Sequence, residues 1–423
     1  MKTITRRDFV KSSIAGGLAL AAPFSRVRGA NDDLRVAVAG IRGRGWGLVG
    51  GFHDAAGVRV VALCDVDEKV LDGRVKRFKD RNEKVDAYID CRKMLEDKSI
   101  DIVAIATPDH WHVPLAARAV VAGKDVYVEK PISHTISEGR LLVNLARKHG
   151  SIVQHGTQSR SAKGLMDAIE YMKSGELGKI RMAKAINSQR RGEIGRQPDT
   201  ETPPNVHYDL WLGPAPKRPF NVNRFHYRWH WWWGYGTGDI GNDGIHQIDI
   251  ARWGLGVELP RAVSCSGGQL WYDDDHETPD TQIATFEYDD VYLVYEMRLW
   301  TPYPHEGHEN GNIFYGDNGK VSIGREGWQV TFKDGKKGPG GDRGDDSHIE
   351  NCIKAVRSRK ISDLNADVEV GHHSAALCHM ANVAMRVGRR LKFDSKREQF
   401  IDDAEANTYL TKHYRKGYEL PTL

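Results

Sequence analysis

The segment Asp101–Pro131, DIVAIATPDHWHVPLAARAVVAGKDVYVEKP, constrains this chain more than any other. It reads as a strand (Ile102–Ala106), a turn, an apolar helix near Val113–Ala122 and a second strand (Val126–Val128). Strand–helix–strand runs build open parallel sheets, whose ligands sit beyond the carboxyl ends of the strands. The second strand ends in Glu129-Lys130-Pro131, which puts Lys130 at that edge. Pro131 biases the residue before it away from helical dihedrals and keeps Lys130 at the strand tip. A lysine fixed there can polarise a hydroxyl or carbonyl oxygen. Taken alone, the tripeptide would be better described as an ordinary solvated lysine before a turn.

A second feature supports the ligand reading. Leu34–Ala39 is a short apolar strand, followed at once by Gly40-Ile41-Arg42-Gly43-Arg44-Gly45. A dinucleotide fold needs glycine after its first strand, so that the chain turns tightly and helix N–H groups reach a pyrophosphate. Counted from Gly40 in the spacing G-x-G-x-x-G, the first and third glycines are present, and Arg42 takes the middle position. The literal match at Gly45, Gly47 and Gly50 begins inside the expected helix and is a decoy. The strand Val58–Cys64 ends in Asp65, about 20 residues past Gly45, where an acidic residue grips ribose hydroxyls. An acid there favours NAD; Arg42 and Arg44 keep NADP open.

The 423 residues suffice for two domains. Thr5-Arg6-Arg7-Asp8-Phe9-Val10-Lys11 and the small, apolar Ser12–Ala22 form a twin-arginine export signal, too short to span a bilayer. The expected division is 1–30 signal, 31–155 nucleotide-binding domain and 156–423 substrate and oligomerisation domain. Residues 1–30 carry a net of +5 against +4 for the whole chain, which leaves the remainder near −1 and implies no basic face for nucleic acid. The periplasm has no ready supply of NAD, so export implies a tightly held cofactor. Five scattered cysteines, none in C-x-x-C spacing, support neither a complete disulfide framework nor zinc.

Beyond Gln154 the texture changes. A helix near Ala162–Ser174 and a strand Lys179–Asn187 precede the Pro-rich 197–219. Ala262–Ser266, Thr281–Tyr288, Val291–Leu299, Lys320–Ile323 and Trp328–Phe332 alternate as strands of a largely antiparallel sheet. Ser347–Arg359 and Ser374–Gly388 read as closing helices, and Lys333–Asp346 as a glycine-rich surface loop. Acidic Asp273–Glu277 reads as a solvated loop, and His305-Glu306-Gly307-His308 lacks H-E-x-x-H spacing, so no metal is expected.

Two segments of this half carry chemistry. In Thr237–Trp253, Asn242 and His246 share a helix face if the run from Asn242 is helical, with Asp243 adjacent and Asp249 one turn beyond His246. A histidine oriented by a carboxylate is a competent base for an alcohol proton; an inert core histidine is the alternative. The run Phe225–Tyr235, FHYRWHWWWGY, offers flat faces for sugar rings, Trp232 and Tyr235 among them; core or interface packing is the alternative.

These residues together resemble the glucose–fructose oxidoreductase/inositol dehydrogenase/MocA-like (Gfo/Idh/MocA) oxidoreductases, in particular a twin-arginine-exported branch. The resemblance rests on the Gly40 loop, Asp65, Thr107-Pro108-Asp109 with His112, Glu129-Lys130-Pro131, Gly156-Thr157-Gln158, Asn242–Asp249 and Ile401–Asn407. It implies an α/β chain: a Rossmann domain followed by an α/β domain with an open, mostly antiparallel sheet that often pairs into oligomers. It implies NAD(P) held by Gly40, Arg42, Gly43, Gly45, Asp65, Thr107, Pro108, Asp109, His112, Glu129, Lys130 and Gln158. It further implies a sugar or cyclitol substrate, with Lys130 at the reacting oxygen and His246 exchanging its proton. The family commonly has Asp four residues before that histidine; here Asn242 stands there. Some relatives use NAD transiently to cleave glycosides, and an exported, non-catalytic sugar binder is a third possibility.

Overall fold

The computed structural model of the protein describes residues 33–345 and 347–423. The twin-arginine segment lies outside the described residues. Six strands, β1 (Leu34–Ala39), β2 (Val58–Cys64), β3 (Asp86–Tyr88), β4 (Ile102–Ile105), β5 (Asp125–Val128) and β6 (Val153–His155), form a parallel sheet in the order β3-β2-β1-β4-β5-β6. The central strands are near-continuous apolar runs because helices cover both faces. These helices include α1 (Gly43–Asp54), α2 (Glu68–Asp80), α3 (Asp109–Val121) and α4 (Ile136–His149). The strand order reverses between β1 and β4, and a crevice opens there beyond their carboxyl ends. Thr135 caps α4 through the Glu138 N–H, and Gly150 ends it in the left-handed region.

After α5 (Lys163–Lys173), the second domain builds a ten-stranded sheet. Its strands are β7 (Ile180–Asn187), β8 (Ala262–Gly268), β9 (Thr281–Glu287), β10 (Tyr292–Arg298), β11 (Asn310–Gly316), β12 (Gly319–Ile323), β13 (Gly327–Phe332), β14 (Lys337–Asp342), β15 (Leu391–Asp394) and β16 (Gln399–Phe400). Only β7 and β10 pair in parallel. The strands β9 and β10 alternate: Gln282, Ala284 and Phe286 are buried while Ile283 is exposed. The helices α6 (Ile245–Leu255) and α8 (Val368–Val387) cover the inner face.

Three departures from the sequence reading have physical causes. Lys337–Asp342, expected as loop, is the edge strand β14; a Cβ on Gly340 would stand 2.7 Å from the Trp328 carbonyl oxygen, so glycine lets it pair closely. The helix α8 starts at Val368, capped by Asp367, six residues before the expected Ser374. Gly371 masks that first turn in sequence, yet a Cβ there would stand 2.5 Å from the His155 ring. Finally, α7 (His348–Ser358) returns to the first sheet, where Cys352, Ile353 and Val356 join Val36, Val38 and Tyr127 in one apolar cluster. A division of the chain at 155/156 does not describe this helix.

Candidate active site

The crevice at the reversal of strand order is a cleft of about 500 Å³ between the two domains. Its floor is the turn after β1. Gly40 has φ +77, and a Cβ there would stand 2.5 Å from the Ala106 carbonyl oxygen. Gly45 lies under this turn, where its Cβ would meet the Gly40 carbonyl at 1.7 Å, so it shapes the loop without lining the cleft. The helix α1 begins at Gly43 with no side-chain cap, which leaves its first N–H groups for an anion. Arg42 and Gly43 line the cleft beside them.

Asp65 lines the same wall. Its carboxylate accepts from the Ile41 N–H at 3.0 Å and the Asp67 N–H at 3.1 Å, tying the turns after β1 and β2 together. Burial outweighs these bonds and raises its pKa above the ordinary range. Each carboxylate oxygen keeps a lone pair for a ribose hydroxyl. Thr107, Pro108, His112 and Gln158 line the deeper part, and the Thr107 Oγ1 and Gln158 Oε1 atoms are sealed without a partner in the protein. Buried polar atoms without partners are costly, and a polar ligand in the cleft satisfies them. These features fit a dinucleotide.

His112 reaches the Pro131 carbonyl at 2.6 Å and the Thr107 carbonyl at 2.8 Å, joining the loops after β5 and β4. Burial holds its pKa below the usual value, so the neutral ring donates to one of the two. Asp109 is not at the cleft. It is buried and accepts from Thr237 Oγ1 at 2.9 Å, and burial pushes its pKa up to about 7. This carboxyl couples α3 to the second domain.

Lys130 emerges from the end of β5 and donates to the Asn242 carbonyl and, at 3.3 Å, to Asn242 Oδ1. Asn242 Nδ2 donates to Asp239 Oδ1 at 2.8 Å, which fixes the amide orientation. Asn242 is therefore a neutral positioning group for the ammonium and cannot itself titrate. Glu129 is buried beside Lys130 and bound by Arg44 Nε at 2.6 Å. Burial opposes its charge, but Arg44 and Lys130 together hold its pKa below the ordinary value.

Asn242 lies in a π-helical turn, Ile240–Gly244, that leads into α6 and His246. Burial, then the Lys130 charge, push the His246 pKa down to about 3, so the ring is neutral at physiological pH. Its Nδ1 is sealed without a partner, which leaves Nε2 as the nitrogen open to the cleft. Asp249 does not orient it. That carboxylate is fully buried, held by Arg160 Nε at 2.8 Å and Ser374 Oγ at 2.6 Å. Asp243 also turns away, accepting from Asn310 Nδ2 at 2.8 Å.

The aromatic run divides. Trp232 and Tyr235 are core: Trp232 Nε1 donates to the Asn223 carbonyl, and Tyr235 packs against Trp211 with ring centroids 4.8 Å apart. Neither forms a sugar platform. Tyr227, Trp229 and His230 line the cleft instead. His230 stacks on Trp229 and bonds the Tyr227 carbonyl through Nδ1, and burial and the Lys130 charge keep it neutral. Sequence reasoning flagged this run but not these members, because period alone does not say which rings face inward. Trp111 and Trp211 also line the cleft and were not anticipated; the only signals were the tryptophans in ATPDHWH and LWLGPAP. In the acidic segment, Asp274 and His276 are buried and paired, so that stretch is not simply a solvated loop. Among the described residues no group of three or more His, Cys, Asp or Glu side chains could hold a metal ion.

Family comparison agrees with this geometry. Residues 34–157 match the oxidoreductase family's NAD-binding Rossmann fold, and residues 191–420 match its C-terminal alpha/beta domain. The chain belongs to the Gfo/Idh/MocA oxidoreductase family. Its first domain is an NAD-binding Rossmann fold. Among curated proteins it is similar to glycosyl hydrolase family 109 protein 2 of Shewanella sp. (strain ANA-3), 34% identical over 171 residues, or 34% of this chain. The chain spans only 38% of that relative's length. The fold resembles the WlbA dehydrogenase of Bordetella pertussis, solved with NADH and UDP-GlcNAcA, at a TM-score of 0.66 and 18% identity, covering 86% of this chain and 99% of that one. It also resembles an aldose-aldose oxidoreductase from Caulobacter crescentus, solved with glycerol, at a TM-score of 0.64 and 18% identity, covering 85% and 100%.

Proposed function

We propose that this is an exported NAD-dependent oxidoreductase that transfers a hydride between a carbohydrate or cyclitol carbon and a nicotinamide it retains. The observation that carries the reading is the Lys130 ammonium, held at the end of β5 by Asn242 with the neutral His246 beside it in the cleft. Oxidation of a CH–OH group removes a proton from oxygen and a hydride from carbon. Bound NAD supplies the hydride acceptor. Lys130 donates a hydrogen bond to the substrate oxygen and stabilises the negative charge that grows there. His246 Nε2, the open nitrogen of a neutral ring, takes the proton, and the reverse direction uses the same atoms. Trp229 gives the substrate a partly exposed ring face.

Export is supported by the twin arginines Arg6-Arg7 and the apolar run behind them. No helix among the described residues is long and apolar enough to cross a membrane. Pairing into a homo-oligomer through the second sheet is supported by its outer face, where Ile283 and Tyr292 stand exposed.

A second reading, an NAD-dependent glycosidase acting by oxidation, elimination, hydration and reduction, draws on the similarity to the Shewanella proteins. It needs a second base for the carbon-bound proton next to the new carbonyl, and His230 lines the same cleft. Product analysis after incubation with free sugars and with glycosides separates the two. Keto-sugar formed one-for-one with NADH supports net oxidation; glycoside cleavage with no net NADH supports the cycle. Neither product from any sugar contradicts both.

A further inference from the structure

The nucleotide cleft has a wall that does not come from the nucleotide-binding domain. The adenosine half of a dinucleotide lies beside the turn after β2 and the end of β3. Here that side, Val66 and Ile89–Cys91, faces Leu210, Phe225 and His226 of the second domain across the cleft. The facing segment is fastened to the turn after β2. The Glu68 N–H donates to the Asn205 carbonyl and the His207 N–H to the Val66 carbonyl, both at 2.9 Å, with a β-bridge between Asp67 and Val206. Side chains repeat the join: Asn205 Nδ2 meets Asp67 Oδ1 at 2.8 Å, and His207 Nε2 meets Glu68 Oε1 at 2.7 Å. His226 then crosses the opening to stand 3.3 Å from Asp67 Oδ2. It does so at φ +51, a conformation non-glycine residues adopt only where their surroundings hold them.

We infer that residues 203–230 are the outer wall of the NAD site, and that their bonds to Asp67 and Glu68 must open before the dinucleotide can leave. The inference rests on the NAD assignment and goes beyond the proposed reaction, because it makes Asn205, His207 and His226 determinants of the release rate of a cofactor whose fold motif lies elsewhere. The wall encloses the cofactor from the side opposite Asp65. Opening it breaks two backbone bonds, two side-chain bonds and the His226–Asp67 contact together. Exchange is accordingly slow and leaves overall affinity governed by the Gly40 loop and Asp65.

The test is a chase. The full-length protein is loaded with NADH and mixed rapidly with excess NAD, and dissociation is followed as loss of energy transfer from cleft tryptophans to the reduced nicotinamide. Two variants are compared with the wild type. The double variant Asn205→Ala/His207→Ala removes the side-chain join, and His226→Gly removes the imidazole while keeping a residue at ease with positive φ. NADH dissociation at least tenfold faster in both, with thermal stability retained, is the expected result. Dissociation within twofold of wild type in both overturns the wall but leaves the NAD assignment intact. A wild-type protein that binds no NADH overturns both.

Discussion

At the scale of single residues, His246 differs from a free imidazole in a way that sets the pH dependence of the site. Its folded pKa of about 3 lies far below the ordinary 6.5, so it is an acceptor throughout the range in which the protein works. His246→Ala is expected to lower sugar oxidation about 10²- to 10⁴-fold at every pH between 6 and 9. The wild-type profile should show no limb at the ordinary histidine pKa. Initial rates of both proteins across that range check this. A limb near 6.5 in the wild type that disappears in His246→Ala would contradict the assignment of a neutral ring.

At the scale of elements, the site depends on α6 being held in place from within the second domain. Asp249, one turn past His246, is fully buried between Arg160 and Ser374. Breaking a buried ion pair from one side leaves an uncompensated charge. Asp249→Asn is expected to cost about 3 kcal/mol or more in denaturant unfolding, while the pH profile of the remaining activity stays unchanged. A shifted profile with unchanged stability would return Asp249 to the role of orienting carboxylate. The same pair shows what sequence can reveal. The strands β1, β2 and β5 were legible because burial on both faces imposes near-continuous apolar runs, and Lys130 was legible because it closely follows one of them. Asp249 looked like a partner for His246 because they are close in sequence; its real partner, Arg160, is 89 residues away. Asp109, expected beside the nucleotide from the family resemblance, has its carboxyl turned to Thr237, 128 residues away. Edge strand β14 was hidden because its glycines serve close approach and leave no apolar alternation. For the two aspartates the deciding interaction is non-local, and periodicity reports only local constraint.

At the scale of the whole molecule, folding buries several histidines in neutral form. Burial pushes His110, His155 and His379 each down to about 3. Their folded pKa values lie below the unfolded 6.5, so between these limits the unfolded chain binds protons that the native state refuses. Stability is therefore complete above about pH 6.5 and declines as pH falls toward 3, each ring contributing about 1.4 kcal/mol per pH unit. The melting temperature is expected to fall steeply from pH 6.5 to 5, and a flat curve there would contradict neutral burial.

The central claim concerns what the cleft between the two domains holds and does. Its most direct test is to identify by mass spectrometry the nucleotide released from freshly purified, denatured protein, then to add candidate sugars to the intact protein and follow nicotinamide absorbance. The account predicts stoichiometric NAD that becomes NADH with at least one sugar. It also predicts that Lys130→Ala keeps the nucleotide but reduces it at least about 10²-fold more slowly. A protein that carries no nucleotide, and binds none when supplied, would contradict the account.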